Sequence, residues 1–152
     1  MGSKRTIARR EGTLMDELRI EVPGIPPSAN EYKRYRILTP GRGARPIAQW
    51  YHTAKAKAWF RDVAVFAGGR KIRGESYTLS FVVFVPDAVT RDVDNFFKCI
   101  LDAMAEAHGC GMIDDDKKVI EVHGYRRIDR TNPRTVAVIR TAQKELPCPN
   151  GC

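Results

Sequence analysis

The sequence lacks the features that mark several large classes of protein. Its four cysteines are not typical of a disulfide framework, because Cys99 lies in an apolar helical stretch, Cys110 follows a glycine, and Cys148 and Cys152 lie in a polar tail. The longest apolar runs, such as Phe81–Val85, have the length of a strand and are far too short to cross a bilayer. No apolar signal region follows the basic start at Met1–Arg5, and we therefore expect a cytoplasmic protein.

Histidine is also scarce. The three histidines have no Gly-x-Ser-x-Gly nucleophile signature near them, which argues against a Ser-His-Asp hydrolase. His108 and Cys110, with Cys148 and Cys152 near the end of the sequence, supply enough ligands for one tetrahedral zinc ion. The Cys-x3-Cys spacing of the last two is weak evidence for such a site, and we expect reduced thiols.

Acidic residues are few in the first half of the chain. The whole protein carries 26 Lys and Arg against 18 Asp and Glu, a formal net charge of +8. Residues 1–73 hold 16 of the bases and 6 of the acids, whereas residues 74–152 hold 10 bases and 12 acids. A basic half beside a locally acidic half suggests a surface for a polyanion next to a site for a cation. The alternative is that the charge only keeps the protein in solution.

One stretch concentrates the basic side chains. Between Lys33 and Arg45 there are five bases and no acid, and Tyr32 and Tyr35 alternate with them. Lys and Arg neutralise phosphates, and tyrosine rings stack on exposed bases, so we predict a nucleic-acid-binding loop here. Its basic residues are Lys33, Arg34, Arg36, Arg42 and Arg45.

The pattern of apolar residues predicts one small α+β domain in which two main helices pack on a mixed sheet. We expect a flexible basic arm over residues 1–13, the domain over 14–143 and a cysteine-containing tail over 144–152. The predicted elements are strands at Leu14–Val22 and Tyr77–Val85, a helix over 48–67 with Tyr51, Ala54, Ala58, Val63 and Phe66 on its apolar face, a helix from Asp94 to His108 with Phe97, Ile100, Leu101 and Met104 on its apolar face, and a hairpin of Val119–Arg127 and Arg134–Ala142.

Two acidic clusters carry the candidate chemistry. The first contains Asp92, Asp94 and Asn95, with Lys98 one helical turn beyond Asp94, and the second is the triplet Asp114–Asp116. On a helix, residues two apart point about 200° from each other. Asp92 and Asp94 therefore converge only if Asp92 precedes the helix and Asp94 caps it.

The density of carboxylates predicts a magnesium site. Adjacent carboxylates repel each other unless a cation lies among them, and Mg²⁺ prefers oxygen ligands and often shares substrate phosphates. Asp92 and Asp94 with one or two members of the triplet would hold the metal, which activates water, while Lys98 neutralises a phosphate oxygen. Taken singly, each feature has a simpler interpretation: a helix cap at Asp94, a surface ion pair between Lys98 and Asp102, and a solvated turn at the triplet.

Together these motifs resemble the RusA family of Holliday-junction resolvases, endodeoxyribonucleases of bacteria and their phages. The similarity covers about residues 18–140, and its specific part is R-D-x-D-N-x-x-K-x-x-x-D at Arg91–Asp102 followed by D-D-x-x-V at Asp115–Val119. The segment Pro26–Asn30 and the following Tyr32 also match. The resemblance implies a RusA-like homodimer that uses Mg²⁺, with Mn²⁺ as a substitute, to make paired symmetric nicks in four-way DNA junctions.

By motif position, the resemblance implies roles for individual residues. Asp92, Asp94 and Asp116 would be catalytic metal ligands, with Asp115 as a neighbouring ligand, and the three consecutive aspartates leave an ambiguity of one residue. Lys98 would be the catalytic lysine, and Asn95 would lie behind the ligands. The residues that we predict to contact DNA are Asn30, Tyr32, Lys33, Arg34, Arg36, Arg42, Arg45 and Arg91.

Some features leave other functions open. The glycine-containing basic insert at Thr39–Arg45 and the cysteine-containing tail are not part of the family pattern, so other branched DNA, such as flaps, remains a candidate substrate. A different class of function is a non-catalytic, structure-selective DNA-binding module, which predicts salt-sensitive binding without a metal requirement. A third is a metal-dependent phosphatase, which hydrolysis of a mononucleotide would reveal.

Overall fold

The computed structural model describes residues 16–89 and 91–142. The predicted arm at 1–13 and the tail at 144–152, which contains Cys148 and Cys152, lie outside the described residues. The elements, in chain order, are β1 (Glu17–Pro23), α1 (Ala29–Tyr32), β2 (Lys33–Leu38), β3 (Ile47–His52), α2 (Ala54–Ala67), β4 (Tyr77–Val85), α3 (Asp94–Met104), a 3₁₀ turn (Asp116–Lys118), β5 (Val119–Ile128) and β6 (Arg134–Thr141). None of the helices in this part of the chain has the length and the apolar character that a membrane span requires.

A mixed four-stranded sheet with the order β1-β6-β4-β5 organises the domain. β6 runs antiparallel to both of its neighbours, and β4 and β5 run parallel. β4 is central because both of its alternating sets of side chains are shielded: one set is buried and the other is half-buried. The α+β class, the mixed sheet and two main helices agree with the prediction, and the bounds of β4 are those predicted.

The two main helices share one hydrophobic core with the sheet. α2 contributes Trp59 and Val63, and α3 contributes Phe96 and Ile100. These side chains pack with the inward-facing residues of the central strand, such as Phe81. The shared core fixes α3 against β4 and β5, and with it the acidic segment that precedes α3.

The predicted hairpin of the last two strands is wrong. β5 and β6 have nearly the predicted bounds, but β4 lies between them. The connecting loop crosses the end of β4, where the Asp129 amide donates a hydrogen bond to the Val85 carbonyl at 2.8 Å. The strongly apolar β4 takes the central position because a neighbour on each side satisfies its backbone groups.

The predicted helix over 48–67 is wrong at its beginning. Thr53 is the N-cap, and its hydroxyl accepts a hydrogen bond from the Ala56 amide at 3.3 Å, so the helix begins at Ala54. This start changes the apolar face: Val63 is the single predicted residue that is buried, and the others that are buried are Ala56, Trp59 and Ala67.

Residues 47–52 form a strand instead of the first turns of this helix. β3 pairs antiparallel with β2, so the segment predicted as a basic loop is a two-stranded hairpin. Gln49, Trp50 and Tyr51 lie in β3, and aromatic residues favour extended backbone on a half-open surface.

α3 is shorter than predicted. It ends at Met104, and the chain then folds back, with the Cys110 amide donating to the Ala103 carbonyl at 2.9 Å. Gly109 permits this close approach, because a Cβ atom there would lie 1.9 Å from the Ala103 carbonyl oxygen. Asp94 is the first helical residue, and Val93 takes the N-cap position, so the prediction of Asp94 as the cap is wrong.

Candidate active site

The segment that leads into α3 rests on β5 at a glycine. A Cβ atom on Gly124 would lie 2.6 Å from both Val93 Cγ1 and Phe81 Cζ. Glycine therefore lets Val93 pack directly on the strand, between the two acids of the first cluster. Asp92 precedes the helix, but Asp94 is its first helical residue and not its cap, so the condition for the two carboxylates to converge is met only at Asp92.

The carboxylates of Asp92 and Asp94 are exposed. Within residues 16–89 and 91–142, neither makes a side-chain hydrogen bond or an ion pair. Asn95 is half-buried, and its backbone N–H donates a hydrogen bond to the backbone carbonyl of Asp92 at 3.2 Å. A polar cleft of about 350 Å³ opens beside Asp92; the other polar side chains that line it are Ser28, Glu31, Lys55, Arg91 and Asn95.

Starting one turn further along α3, at Lys98, charged side chains form a continuous chain of ion pairs. Lys98 Nζ lies 2.8 Å from Asp102 Oδ1 and 2.7 Å from Asp116 Oδ2. Lys33 Nζ lies 2.9 Å from the other oxygen of Asp102, and the Tyr32 hydroxyl donates to that oxygen at 3.3 Å. The buried carboxylate of Asp102 thus joins α3 to the start of β2 through Lys33. Lys98 extends this connection to the 3₁₀ turn.

Asp102 is the residue whose role the sequence analysis missed. Its side chain is 0% exposed, so the Lys98–Asp102 contact is not the surface ion pair of the simpler interpretation. The signal was present in the sequence, because Asp102 lies between Leu101 and Ala103 on the apolar side of α3, and both neighbours are buried. A carboxylate at such a position needs cationic partners.

The chain of charges shifts the titration of its members. Burial raises the pKa of Asp102, but the ammonium groups of Lys98 and Lys33 outweigh burial and hold that pKa below the ordinary value. Burial likewise works against protonation of Lys98, but the two carboxylates raise its pKa above the usual range for lysine. The Lys98 ammonium also lowers the pKa of Asp116. Lys98 is therefore a permanent cation at neutral pH.

The three consecutive aspartates point to three different partners. Asp114 accepts a hydrogen bond from the Tyr77 hydroxyl at 2.7 Å and pairs with Lys118, and these bonds outweigh burial and lower its pKa to about 2. Asp115 caps the 3₁₀ turn by accepting from the Lys117 amide at 2.9 Å. Asp116 faces α3 through Lys98. Of the three, Asp116 is the one whose carboxylate forms an ion pair with α3.

The predicted DNA-contacting residues fall into two sets. Asn30 lies exposed on α1, and the arginines of the hairpin, which are Arg34, Arg36, Arg42 and Arg45, are exposed as well. The other three are less exposed: Tyr32 is 5% exposed, Lys33 holds Asp102, and Arg91 pairs with Asp87 at 2.5 Å. Tyr32 in this structure supports Asp102 and presents no open ring face to a base.

The described residues contain no group of three or more His, Cys, Asp or Glu side chains close enough to hold a metal ion. The donor chemistry nevertheless fits Mg²⁺, which proteins often bind through one or two carboxylates and substrate phosphates. Asp92 and Asp94 are two such carboxylates without a protein cation. The structure describes two of the four ligands suggested for zinc: His108 is exposed and Cys110 is half-buried. The other two, Cys148 and Cys152, lie outside the described residues.

Comparison with known proteins identifies one family. The family model described as "Endodeoxyribonuclease RusA" matches residues 23–140, which include every element from the end of β1 to most of β6. No curated protein matches the chain. The matched range contains both acidic clusters, Lys98 and the basic hairpin.

Proposed function

The chain belongs to the RusA endodeoxyribonuclease family, and from this we propose that it resolves four-way DNA junctions by paired, Mg²⁺-dependent hydrolysis of phosphodiester bonds. The family acts on Holliday junctions. The observation that carries the residue assignment is the ion pair between Lys98 of α3 and Asp116 of the turn before β5. This pair brings the second acidic cluster to the helix that begins at the first. A DNA substrate is consistent with action in the cytoplasm.

Asp92 and Asp94 are the residues that would hold Mg²⁺, and Asp116 and its neighbour Asp115 would supply further carboxylate ligands. When bound, Mg²⁺ would supply an activated water and neutralise charge on the phosphate. The carboxylates of Asp92 and Asp94 form no ion pair within the described residues, so their negative charge is available to a divalent cation. Asn95 supports this segment through its backbone contact with Asp92.

Lys98 supplies a fixed positive charge to the reaction. Asp102 and Asp116 orient its ammonium from two sides and keep it protonated. A preorganised cation stabilises negative charge that develops on a phosphate oxygen without first having to reorient. The position of the ammonium between two carboxylates favours its protonated form, so we assign Lys98 a role through its charge.

Paired nicks require two catalytic centres, and the sheet offers an edge for a second copy of the chain. Among the described residues, β5 pairs with β4 alone, so its other edge is unpaired in this part of the chain. Large apolar side chains on β5 are exposed, among them Ile120 at 56% and Ile128 at 54%. A long exposed edge strand with apolar side chains normally pairs or is covered.

One antiparallel register of two β5 strands is self-complementary in charge. A two-fold axis through Gly124 sets Glu121 opposite Arg127 of the second copy, and Ile120 opposite Ile128. Opposite residues then lie on the same face of the continuous sheet, as the pleat requires. Because Val93 packs on Gly124, the axis brings the acidic segments of both copies to one face of the dimer.

Cleavage of a synthetic four-way junction tests the activity. The wild-type protein should nick opposite strands symmetrically with Mg²⁺, and not with chelator or on linear duplex. Asp94→Asn should lower the rate at least about 100-fold and retain junction binding, because it removes charge but little volume. Cleavage by Asp94→Asn at the wild-type rate would contradict the mechanism. Binding by the wild-type protein without nicks would favour the non-catalytic module, and preferential cleavage of flaps would change the substrate.

Charge reversal tests the dimer. Glu121→Arg and Arg127→Glu should each weaken self-association in sedimentation velocity, because each places like charges opposite one another. The double variant restores opposite pairs and should recover the dimer. A double variant that associates no better than either single variant would contradict the register through Gly124.

A further inference from the structure

The hairpin of β2 and β3 has two chemically different faces. Because opposite residues share a face, Tyr35 lies beside Trp50, and Lys33 beside His52, on one side. Arg34 and Arg36 project from the other side. The hairpin between Lys33 and His52 contains no acidic residue.

The aromatic face is unusually open. Trp50 is 67% exposed and Tyr35 is 62% exposed, and their rings form a tilted pair with centroids 5.5 Å apart. Burial of these rings would remove apolar surface from water, so a ligand with a flat apolar face gains by covering them. The basic side chains on the same hairpin restrict that ligand to an anionic one.

Beside Trp50 the surface forms a cleft of about 580 Å³, which is lined by Lys33, Trp50, Tyr51, His52 and His108. The cleft is connected to the candidate active site through Lys33. The Nζ atom of Lys33 contacts Asp102, which in turn contacts Lys98. A group that binds in the cleft beside Lys33 therefore contacts the same series of ion pairs that holds Lys98.

We propose that this cleft is a stacking site for a nucleobase that has left the base stack at the branch point of the DNA. The base would lie against Trp50, and its phosphates would meet Lys33 on the same face and Arg42 and Arg45 of the loop that connects β2 and β3. Alternating aromatic and basic side chains are the usual platform for unstacked nucleotides, whereas a duplex backbone needs cations alone. The inference rests on the proposed function for its substrate, but it concerns binding and not the hydrolytic step.

A second copy of the chain is a less suitable occupant of this face. A protein surface that covers five basic residues has to supply acids, and the hairpin itself supplies none for a symmetric contact. The self-complementary edge of β5 lies in the other sheet. A nucleotide combines a flat ring, which suits the aromatic face, with an anionic phosphate, which suits the basic side chains of the hairpin.

A junction with 2-aminopurine at the branch point tests the site. In chelator, binding of the wild-type protein should change the fluorescence of a branch-point 2-aminopurine but not of one placed within an arm. Trp50→Ala should abolish this change and weaken junction affinity about tenfold or more, which is the usual size of a lost base–aromatic stack. Trp50→Phe should retain most of both signals, because it keeps an aromatic face.

Phe66→Ala is the matched control, since Phe66 is an exposed aromatic side chain of α2 outside the candidate site. It should leave the fluorescence and the affinity unchanged. Trp50→Ala with wild-type fluorescence and affinity would overturn the proposal, and so would loss of the dimer in Trp50→Ala with intact junction binding. Cleavage of the same junction with Mg²⁺ is measured separately: a wild-type protein that gives the fluorescence change but no nicks contradicts the proposed function and leaves the stacking site supported.

Discussion

Two pairs of carboxylates on or near α3 are in opposite electrostatic situations. Asp102 and Asp116 are held by Lys98, and Asp102 also by Lys33, at 2.7–2.9 Å. Asp92 and Asp94 are exposed and have no side-chain partner within the described ranges. The same helix thus carries a neutralised group at its middle and an uncompensated group at its beginning.

The difference separates a structural task from a binding task. The paired group balances two carboxylates with two ammonium groups, so it folds without an external cation and fixes three chain segments to one another. The unpaired group is tolerated because it is exposed and lies at a helix N-terminus, where the helix dipole favours negative charge. It is the group that a cation from solution would complete. Substitutions in the paired group should therefore affect stability as well as catalysis, whereas substitutions in the unpaired group should affect catalysis alone.

The largest expected effect is on catalysis, from removal of the cation that joins the paired carboxylates. Lys98→Met should lower junction cleavage about 100-fold, because a preorganised charge at the phosphate is lost. The unfolding midpoint should also fall, because the buried carboxylate of Asp102 then keeps a single cation, Lys33. Single-turnover cleavage with saturating enzyme measures the rate, and urea unfolding measures the stability.

Two further variants make this result specific. Lys98→Arg keeps the charge and should retain more activity than Lys98→Met. Lys118→Met removes a lysine that pairs with Asp114 and not with α3, so it should leave the cleavage rate within about twofold of wild type. An unchanged rate in Lys98→Met would return Lys98 to a purely structural role.

The second effect is on stability, and it distinguishes the two groups directly. Asp102→Asn should lower the free energy of unfolding by about 3 kcal/mol, because it leaves two lysines facing a neutral buried amide. Asp94→Asn should change it by less than about 0.5 kcal/mol, as is usual for an exposed site. Asp62→Asn on α2 is the exposed control. Equal losses in Asp102→Asn and Asp94→Asn would contradict the division.

The sequence predicts the local elements of this fold better than their pairing. The alternation over Tyr77–Val85 predicts β4 with the observed bounds, because a run that is apolar on both faces has few other solutions. β5 and β6 also show strand patterns and a short link, from which a hairpin is the natural prediction. Their separation by β4 depends on contacts between distant strands, and no local pattern encodes it.

The candidate site shows the same limit. Residue type and spacing mark Asp92, Asp94 and Lys98, since carboxylates and a lysine at a helix start are unusual together. The 3₁₀ turn at Asp116–Lys118 determines which of the three aspartates faces α3. The spacing of residues in the sequence does not reveal this turn. Trp50 escapes the sequence analysis because the helical interpretation of residues 48–67 hides the strand that exposes its ring.

The smallest expected effect is on the pH dependence of stability. The lysines hold the pKa of Asp102 below its ordinary value of 3.8, so its ion pairs contribute fully above about pH 4 and are lost as the pH falls through the lowered pKa. In this range the unfolded state binds more protons than the folded state, so stability falls on acidification. Asp102→Asn removes one such group, and its unfolding free energy should fall less steeply below pH 4, by up to about 1.4 kcal/mol per pH unit. Urea unfolding from pH 5 to 2.5 measures both slopes, with Asp62→Asn as the control. Parallel slopes in wild type and Asp102→Asn would mean that the lysines do not stabilise this carboxylate, and the electrostatic contrast between the two groups would fail.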